Sequence, residues 1–337
     1  MKPVSTLRLM SLDAYRGIVM MALVTGGGLG LERLRASPRF GWLAGQLEHK
    51  EWEGCSAWDL VQPAFMFIVG VAMPFAAAKR GRSLVRALKL AALGILLDAW
   101  QRGRLEIELI SVLQQIALAY AFVALLLARG PRTKAAVAAA LLALHTLAFV
   151  IYGRARGMDP WSRADNVGIA IDRALHLPLD PEGYVTFTAV SATATVLFGA
   201  LAGDLLRVPA SARWKLTVLA IAGAAGVLLG SLLAHAVPMV KHIWTSSFGL
   251  YASGVACLSF AFCYAAIDVW KAERWALPLV VVGMNSIAVY VFSGLFTTPL
   301  RLLLRPLAGG TGAVSLVAAG VWLLAYALYR RRIFIKV

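Results

Sequence analysis

Apolar runs of about 20 residues, enough to cross a bilayer, recur along the chain and are separated by short segments that hold most of its charge. Read window by window, they predict ten membrane helices over 11–31, 59–79, 83–101, 107–128, 132–152, 185–206, 213–236, 245–270, 275–300 and 312–332. The third is the least apolar, because Arg86 and Lys89 fall in its first turns, where long basic stems snorkel to the interface. The expected fold is an all-α polytopic membrane protein of about ten transmembrane helices, forming a single domain over 1–337. Two connections are long, about 32–58 and 153–184, and loops of that size usually carry a function. No internal repeat stands out, so an inverted-repeat transporter is not supported.

Composition agrees with the pattern. Hydrophobic residues make up 60% and charged residues 15% of the chain, against about 25% charged in soluble domains. The net charge of +16 raises nucleic acid as a partner. The basic residues sit in short loops rather than on one soluble face, and no zinc-finger, RRM or helix-turn-helix pattern occurs, so that class is excluded. With the N-terminus inside, 19 of the 33 lysines and arginines fall in inner segments and 13 in outer ones, Arg16 lying within the first span. Thirteen acidic residues outside leave the outer face near neutral. Both termini are therefore expected in the cytoplasm. The first apolar run follows Lys2 and Arg8 like a signal peptide, but it holds Asp13 and Arg16 and lacks an A-x-A site, which reads as a retained helix. Cys55, Cys257 and Cys263 make no disulfide framework.

Candidate chemistry gathers in the stretch Gln46 to Pro74, whose first half is polar and aromatic and whose second half is apolar. His49 lies there among Glu48, Glu51 and Glu53, and an imidazole can serve as base or nucleophile near neutrality. From spacing alone, a solvated loop histidine in a charge run is the commoner case. Asp59, ten residues on, either faces a polar cavity or favours a helix N-terminus. Asp13 and Arg16, three apart, share one helix face and either pair or hold a phosphate-bearing ligand. Asn285-Ser286 falls in the middle of the ninth span, where an amide either donates to an oxyanion or glues helices. Lys241, His242, Trp244 and Ser247 form a polar entrance to the eighth span. The five histidines show no metal-ligand spacing, so no metal is expected. Gly26-Gly27-Gly28 permits a helix break.

The order of several motifs adds to this. Ser11-Leu-Asp-Ala-Tyr-Arg-Gly17, His49-x-x-Trp52-x-Gly54, Trp58-Asp59-Leu60, Val112-Leu-Gln-Gln-Ile116, Asp180-Pro-Glu-Gly183, Trp244-Thr-Ser-Ser247 and Val282-Gly-Met-Asn-Ser-Ile-Ala-Val-Tyr290 occur in sequence over nearly the whole chain. Together they resemble the heparan-α-glucosaminide N-acetyltransferase family and its bacterial relatives. The resemblance implies transfer of an acetyl group from cytoplasmic acetyl-CoA to an amino sugar or glycan across the bilayer, and it places His49 on the family's catalytic histidine. It implies His49 as base or transient acyl carrier, oriented by Asp59 or Glu51, with Asn285, Ser247 or Gln114 at the oxyanion. Asp13, Arg16, Gln114, Ser247 and Ser286 are then expected at the donor, and Glu51, Trp52, Trp58, Lys241 and Trp244 at the acceptor. Thr25 and Gln115 depart from the family's usual Asn and Arg, and bear on the acceptor more than on the reaction. The family's frequent dimers make a homodimer one expectation. Short loops and the absence of a soluble N-terminal region point to a bacterial inner membrane with the His49 loop in the periplasm. The competing function is a sugar transporter or flippase on the same helices without chemistry.

Overall fold

The computed structural model describes residues 9–26, 34–76, 80–103, 105 and 109–335. Lys2, Arg8, Gly27 and Gly28 lie outside those ranges. Among the described residues the chain is helical, apart from one isolated antiparallel bridge between Glu53 and Val240. The helices are α1 (Met10–Thr25), α2 (Gly41–Gln46), α3 (Val61–Ala76), α4 (Arg80–Arg102), α5 (Val112–Leu126), α6 (Pro131–Arg156), α7 (Val167–Ala174), α8 (Thr188–Arg207), α9 (Ala212–Leu233), α10 (Ser246–Cys263), α11 (Leu277–Met284) and α12 (Ser286–Arg330). A 3-10 turn, Trp58–Leu60, leads into α3, and a π turn, Tyr264–Val269, ends α10.

Six of these elements, counted with their lead-in turns, are long and apolar enough to cross a membrane: Trp58–Ala76, α6, α8, α9, Ser246–Val269 and α12. Helices α1, α4 and α5, which correspond to the expected spans 11–31, 83–101 and 107–128, are not among the six, and the expected boundaries fail at three places. The first helix stops at Thr25 because Gly26 takes a left-handed conformation (φ +55°) and its N–H returns to Ala22 and Leu23. The expected 275–300 span is broken at Asn285, which has φ −118° and ψ +32° and divides α11 from α12. Asn285-Ser286 therefore sits at a helix junction and not in mid-span. Lastly, α12 runs for 45 residues and bends at Gly309 (φ +69°, ψ 176°). Gly309 is not helical, and the 23 residues before it make about 34 Å at 1.5 Å per residue, enough for a hydrocarbon core of about 30 Å, so Gly309 is where the chain can turn back.

Within the bundle α8 and α10 are central, each two-thirds buried over its apolar window, whereas α6 and α9 are about one-fifth buried and face outward. The α3–α8 seam is made by glycines. A methyl group on Gly70 would lie 2.1 Å from the Val196 carbonyl, and one on Gly199 would lie 2.0 Å from that of Phe67. Small residues let membrane helices approach this closely, where packing replaces the hydrophobic effect as the driving force.

This packing gives the bundle two distinct ends. At one end the first N–H groups of α1, from Met10 and Ser11, donate to the Asp268 carboxylate of the π turn at 3.3 and 3.1 Å, an N-cap supplied by another helix. Gly283 of α11 lies against the Asp13 carbonyl at this same end. The opposite end gathers the entrances of α3, α8 and α10, and about 27 Å of α10 separates the two.

Candidate active site

The entrance to α3 builds the centre of the site. The 3-10 turn carries the Asp59 side chain inward until it is 1% exposed. Its Oδ2 accepts from the Ser56 N–H (3.0 Å), the Ser56 hydroxyl (2.9 Å) and the Lys50 N–H (3.3 Å). Its Oδ1 lies 2.7 Å from His49 Nδ1. An ionised carboxylate can only accept, so Nδ1 carries the proton of this bond and Nε2 keeps the free lone pair. The His49 side chain is 47% exposed, which leaves Nε2 within reach of a ligand.

A second strand of chain, distant in sequence, completes the centre. Gly54 N–H donates to the Met239 carbonyl (2.8 Å) beside the Glu53–Val240 bridge, which fixes the segment before α10 against the His49 loop. Within that segment Thr245 binds both the N–H and the C=O of Val240, and Trp244 is held in a left-handed conformation (φ +47°) with its carbonyl taken by Ser191 at 2.5 Å. The turn presents Lys241 to the carboxylate. Its Nζ lies 3.6 Å from Asp59 Oδ1, and 3.1 and 3.5 Å from the two nitrogens of His49. Burial pushes the Lys241 ammonium below the usual lysine range, and the Asp59 carboxylate opposes that shift. His49, Asp59 and Lys241 thus form one compact group in which a buried anion holds both a base and a cation.

An aromatic wall stands beside it. His242 lies between Trp52, stacked at 5.3 Å, and Tyr184 at 4.5 Å, and the Trp52 indole N–H is anchored on the Trp161 carbonyl at 2.9 Å. Burial first, and the Lys241 charge second, lower the His242 pKa to about 4, so it stays neutral near pH 7. Trp58 approaches the His49 ring at 6.1 Å. A cleft of about 380 Å³ opens past Tyr184, with Arg163, Arg173 and Asp180 on its sides.

The residues expected at the site divide between the two ends. Brought together are His49, Asp59, Lys241, Trp52 and Trp58; Glu51 is exposed, and of the two carboxylates expected to orient the imidazole it is Asp59 that bonds it. Trp244 and Ser247 lie just behind Lys241 with supporting contacts, Trp244 edge-on to Phe248 and the Ser247 hydroxyl on the Pro238 carbonyl. Gln114 points elsewhere: its amide donates to Asp98 (2.6 Å) and accepts from the Leu109 N–H (2.7 Å). Its neighbour Gln115 approaches more closely, bonded to Thr188 and to Gln62, which is one turn from Asp59. Asp13 and Arg16 pair at 3.5 Å at the far end. Asn285 is there too, its amide bonded to the Ile333 carbonyl (3.1 Å) and the Ile335 N–H (3.0 Å), with Ser286 beside it. Those contacts make Asn285 a clamp on the C-terminal segment.

Sequence comparison adds two matches. A family model described as an acyltransferase domain matches residues 112–330, and one described as the catalytic region of heparan-alpha-glucosaminide N-acetyltransferase matches residues 8–156. No curated protein matches the chain.

Proposed function

The chain belongs to a family of transmembrane acyltransferases akin to heparan-α-glucosaminide N-acetyltransferase, and from that premise we propose that it moves an acetyl group from acetyl-CoA to an extracytoplasmic amino sugar or glycan. The observation that carries the reading is the 2.7 Å bond between His49 Nδ1 and a carboxylate that is 1% exposed, which leaves Nε2 of a half-exposed side chain as base. Attack on a thioester needs a neutral amine, a group to take its proton, and positive charge where the carbonyl oxygen becomes anionic. In this reading Nε2 accepts the proton as the new N–C bond forms. The imidazolium, steadied by Asp59, returns that proton to the departing thiolate as the C–S bond breaks. The Lys241 ammonium, beside Nε2, supplies the positive charge for the oxyanion. This role replaces Asn285 and Gln114, whose amides are committed elsewhere.

Donor and acceptor then approach from opposite ends. Arg16, at the far end with Asp13, suits the phosphates of the donor, and the cleft past Tyr184 gives a glycan room beside His49. The same reading takes ten spans in a single domain, both termini in the cytoplasm and the His49 loop on the periplasmic face of a bacterial inner membrane, with a homodimer as the assembly. It needs no metal.

The test is purified protein with labelled acetyl-CoA and a panel of amino sugars. Acetylated sugar from the wild type, and none from His49→Ala of native fold, supports the proposal. A fully active His49→Ala excludes it. Label trapped on His49 without acceptor selects a covalent route, and its absence selects direct transfer. Sugar uptake by proteoliposomes lacking acetyl-CoA, without acetylation, would instead identify a transporter.

A further inference from the structure

A second polar cavity, of about 180 Å³, is lined by α1, α4, α5 and α12 and does not include His49. Asp98, Gln101, Ser111, Tyr290 and Ser293 line it, together with the glycine faces of Gly94 and Gly294. It adjoins the site through α3, because the Phe65 ring is stacked on Tyr290 at 6.2 Å, and through α5, because Gln114 bonds Asp98 and the neighbouring Gln115 bonds Gln62 and Thr188.

Gln101 is bonded to the Gly294 carbonyl (3.1 Å) and Ser293 to the Thr297 hydroxyl (3.2 Å), but other polar groups of the lining are unspent. Asp98 takes one bond, on Oδ2 from Gln114, and among the described residues no lysine, arginine or histidine pairs with it. The Ser111 hydroxyl is buried without a partner, and no hydrogen bond of a described residue involves the Tyr290 hydroxyl. Buried polar groups in native proteins are nearly always satisfied, and intramembrane carboxylates nearly always have a partner. A cavity that, among the described residues, holds a carboxylate without a cation and the unpartnered hydroxyls of Ser111 and Tyr290 has the lining of a binding site. Its size admits one sugar ring or a smaller group, and its charge asks for a cation.

We propose that this cavity binds a protonated amino sugar, with the ammonium on Asp98 and the ring hydroxyls on Ser111, Tyr290 and Ser293. The inference rests on the acyl-transfer reading only for the choice of an amino sugar. Asp98 favours the ammonium, the form that cannot attack a thioester, so the cavity is a holding site separate from His49.

The experiment is equilibrium binding of tritiated glucosamine to the full chain in detergent at mildly acidic pH, without acyl donor, with N-acetylglucosamine and ethanolamine as competitors. Wild type should bind glucosamine. Asp98→Asn should bind it at least about tenfold more weakly, the least expected when a charge-assisted hydrogen bond is lost. N-acetylglucosamine, which keeps the hydroxyls and lacks the cation, should compete at least about tenfold less well. Ser293→Leu, which fills the cavity and spares the carboxylate, should also lose binding, and it decides the matter should Asp98→Asn not fold. Wild-type affinity in a folded Asp98→Asn or in Ser293→Leu would overturn the proposal, as would equal competition by N-acetylglucosamine. Equal competition by ethanolamine would assign the cavity to a lipid headgroup amine and also overturn it. Binding without any acetyl transfer would sink the acyl-transfer reading and leave the cavity standing, whereas transfer without Asp98-dependent binding would do the reverse.

Discussion

Asp59→Asn changes one atom and one charge at a residue that is 1% exposed and makes five polar contacts. The amide has a single accepting oxygen. Turned toward Ser56 and Lys50, it leaves its NH2 facing His49 Nδ1, so the imidazole must move its proton to Nε2 to accept that bond. The nitrogen needed as base is then blocked. Imidazoles forced into the wrong tautomer by this exchange lose about 10⁴ in kcat, which is about 5.5 kcal/mol of transition-state stabilisation. Stability responds separately. The Lys241 side chain, 7% exposed, loses its counter-ion, and breaking a buried pair costs about 3–5 kcal/mol. Because burial already lowers the Lys241 pKa, the lysine can shed its proton and hold the cost near the bottom of that range. Initial rates with saturating donor and acceptor, together with thermal melts, read the two effects apart. The double variant Asp59→Asn/Lys241→Met should regain most of the stability and none of the activity. The reasoning fails if Asp59→Asn, folded and monodisperse, keeps more than about a tenth of the wild-type kcat.

Three further outcomes are expected. Gly283→Ala places a methyl 1.7 Å from the Asp13 carbonyl, so the α1–α11 seam must open; a cost of about 1–3 kcal/mol or more is expected from overpacking, read as a lower melting temperature. Asn285→Ala removes two hydrogen bonds to the C-terminal segment, which should cost about 1–3 kcal/mol and speed proteolysis there while kcat is unchanged; loss of kcat with an intact KM would return Asn285 to the chemistry. His242, neutral in the fold down to about pH 4 against an ordinary value of 6.5, takes up a proton in the unfolded chain first. Stability should therefore fall as pH drops from 6.5 toward 4, and His242→Phe, which keeps the stack on Trp52 and Tyr184, should flatten that slope in pH-dependent melts.

Much of this was legible in the chain. Apolar runs located the long helices, since a spanning segment must be apolar wherever it lies. The ten-residue step from His49 to Asp59 was visible because both lie in one local stretch. Lys241 was visible as an entrance residue, but its contact with His49 crosses 192 positions and depends on the Glu53–Val240 bridge, which no local pattern encodes. Asn285 misled for a related reason. Apolar windows average over a single residue, so a break at an asparagine looks like a continuous span, and the amide's partners at Ile333 and Ile335 are far along the chain. The motif at Leu113–Ile116 showed two glutamines without showing that they reach different partners, one Asp98 and the other Gln62 and Thr188. Short α7 was missed inside a polar loop, although Asn166, whose side chain accepts from the Ile169 N–H, is an ordinary N-cap signal.

The central claim is that a histidine held by a buried carboxylate at one end of the bundle receives acyl groups delivered from the other. Its most direct measurement uses sealed proteoliposomes sorted for one orientation, with labelled acetyl-CoA on the face of Asp13 and Arg16 and an amino sugar on the face of His49. The wild type should yield acetylated sugar in the His49 compartment, and His49→Ala should yield none. Product that appears only when donor and acceptor share a compartment, or an undiminished rate from His49→Ala, would contradict the account.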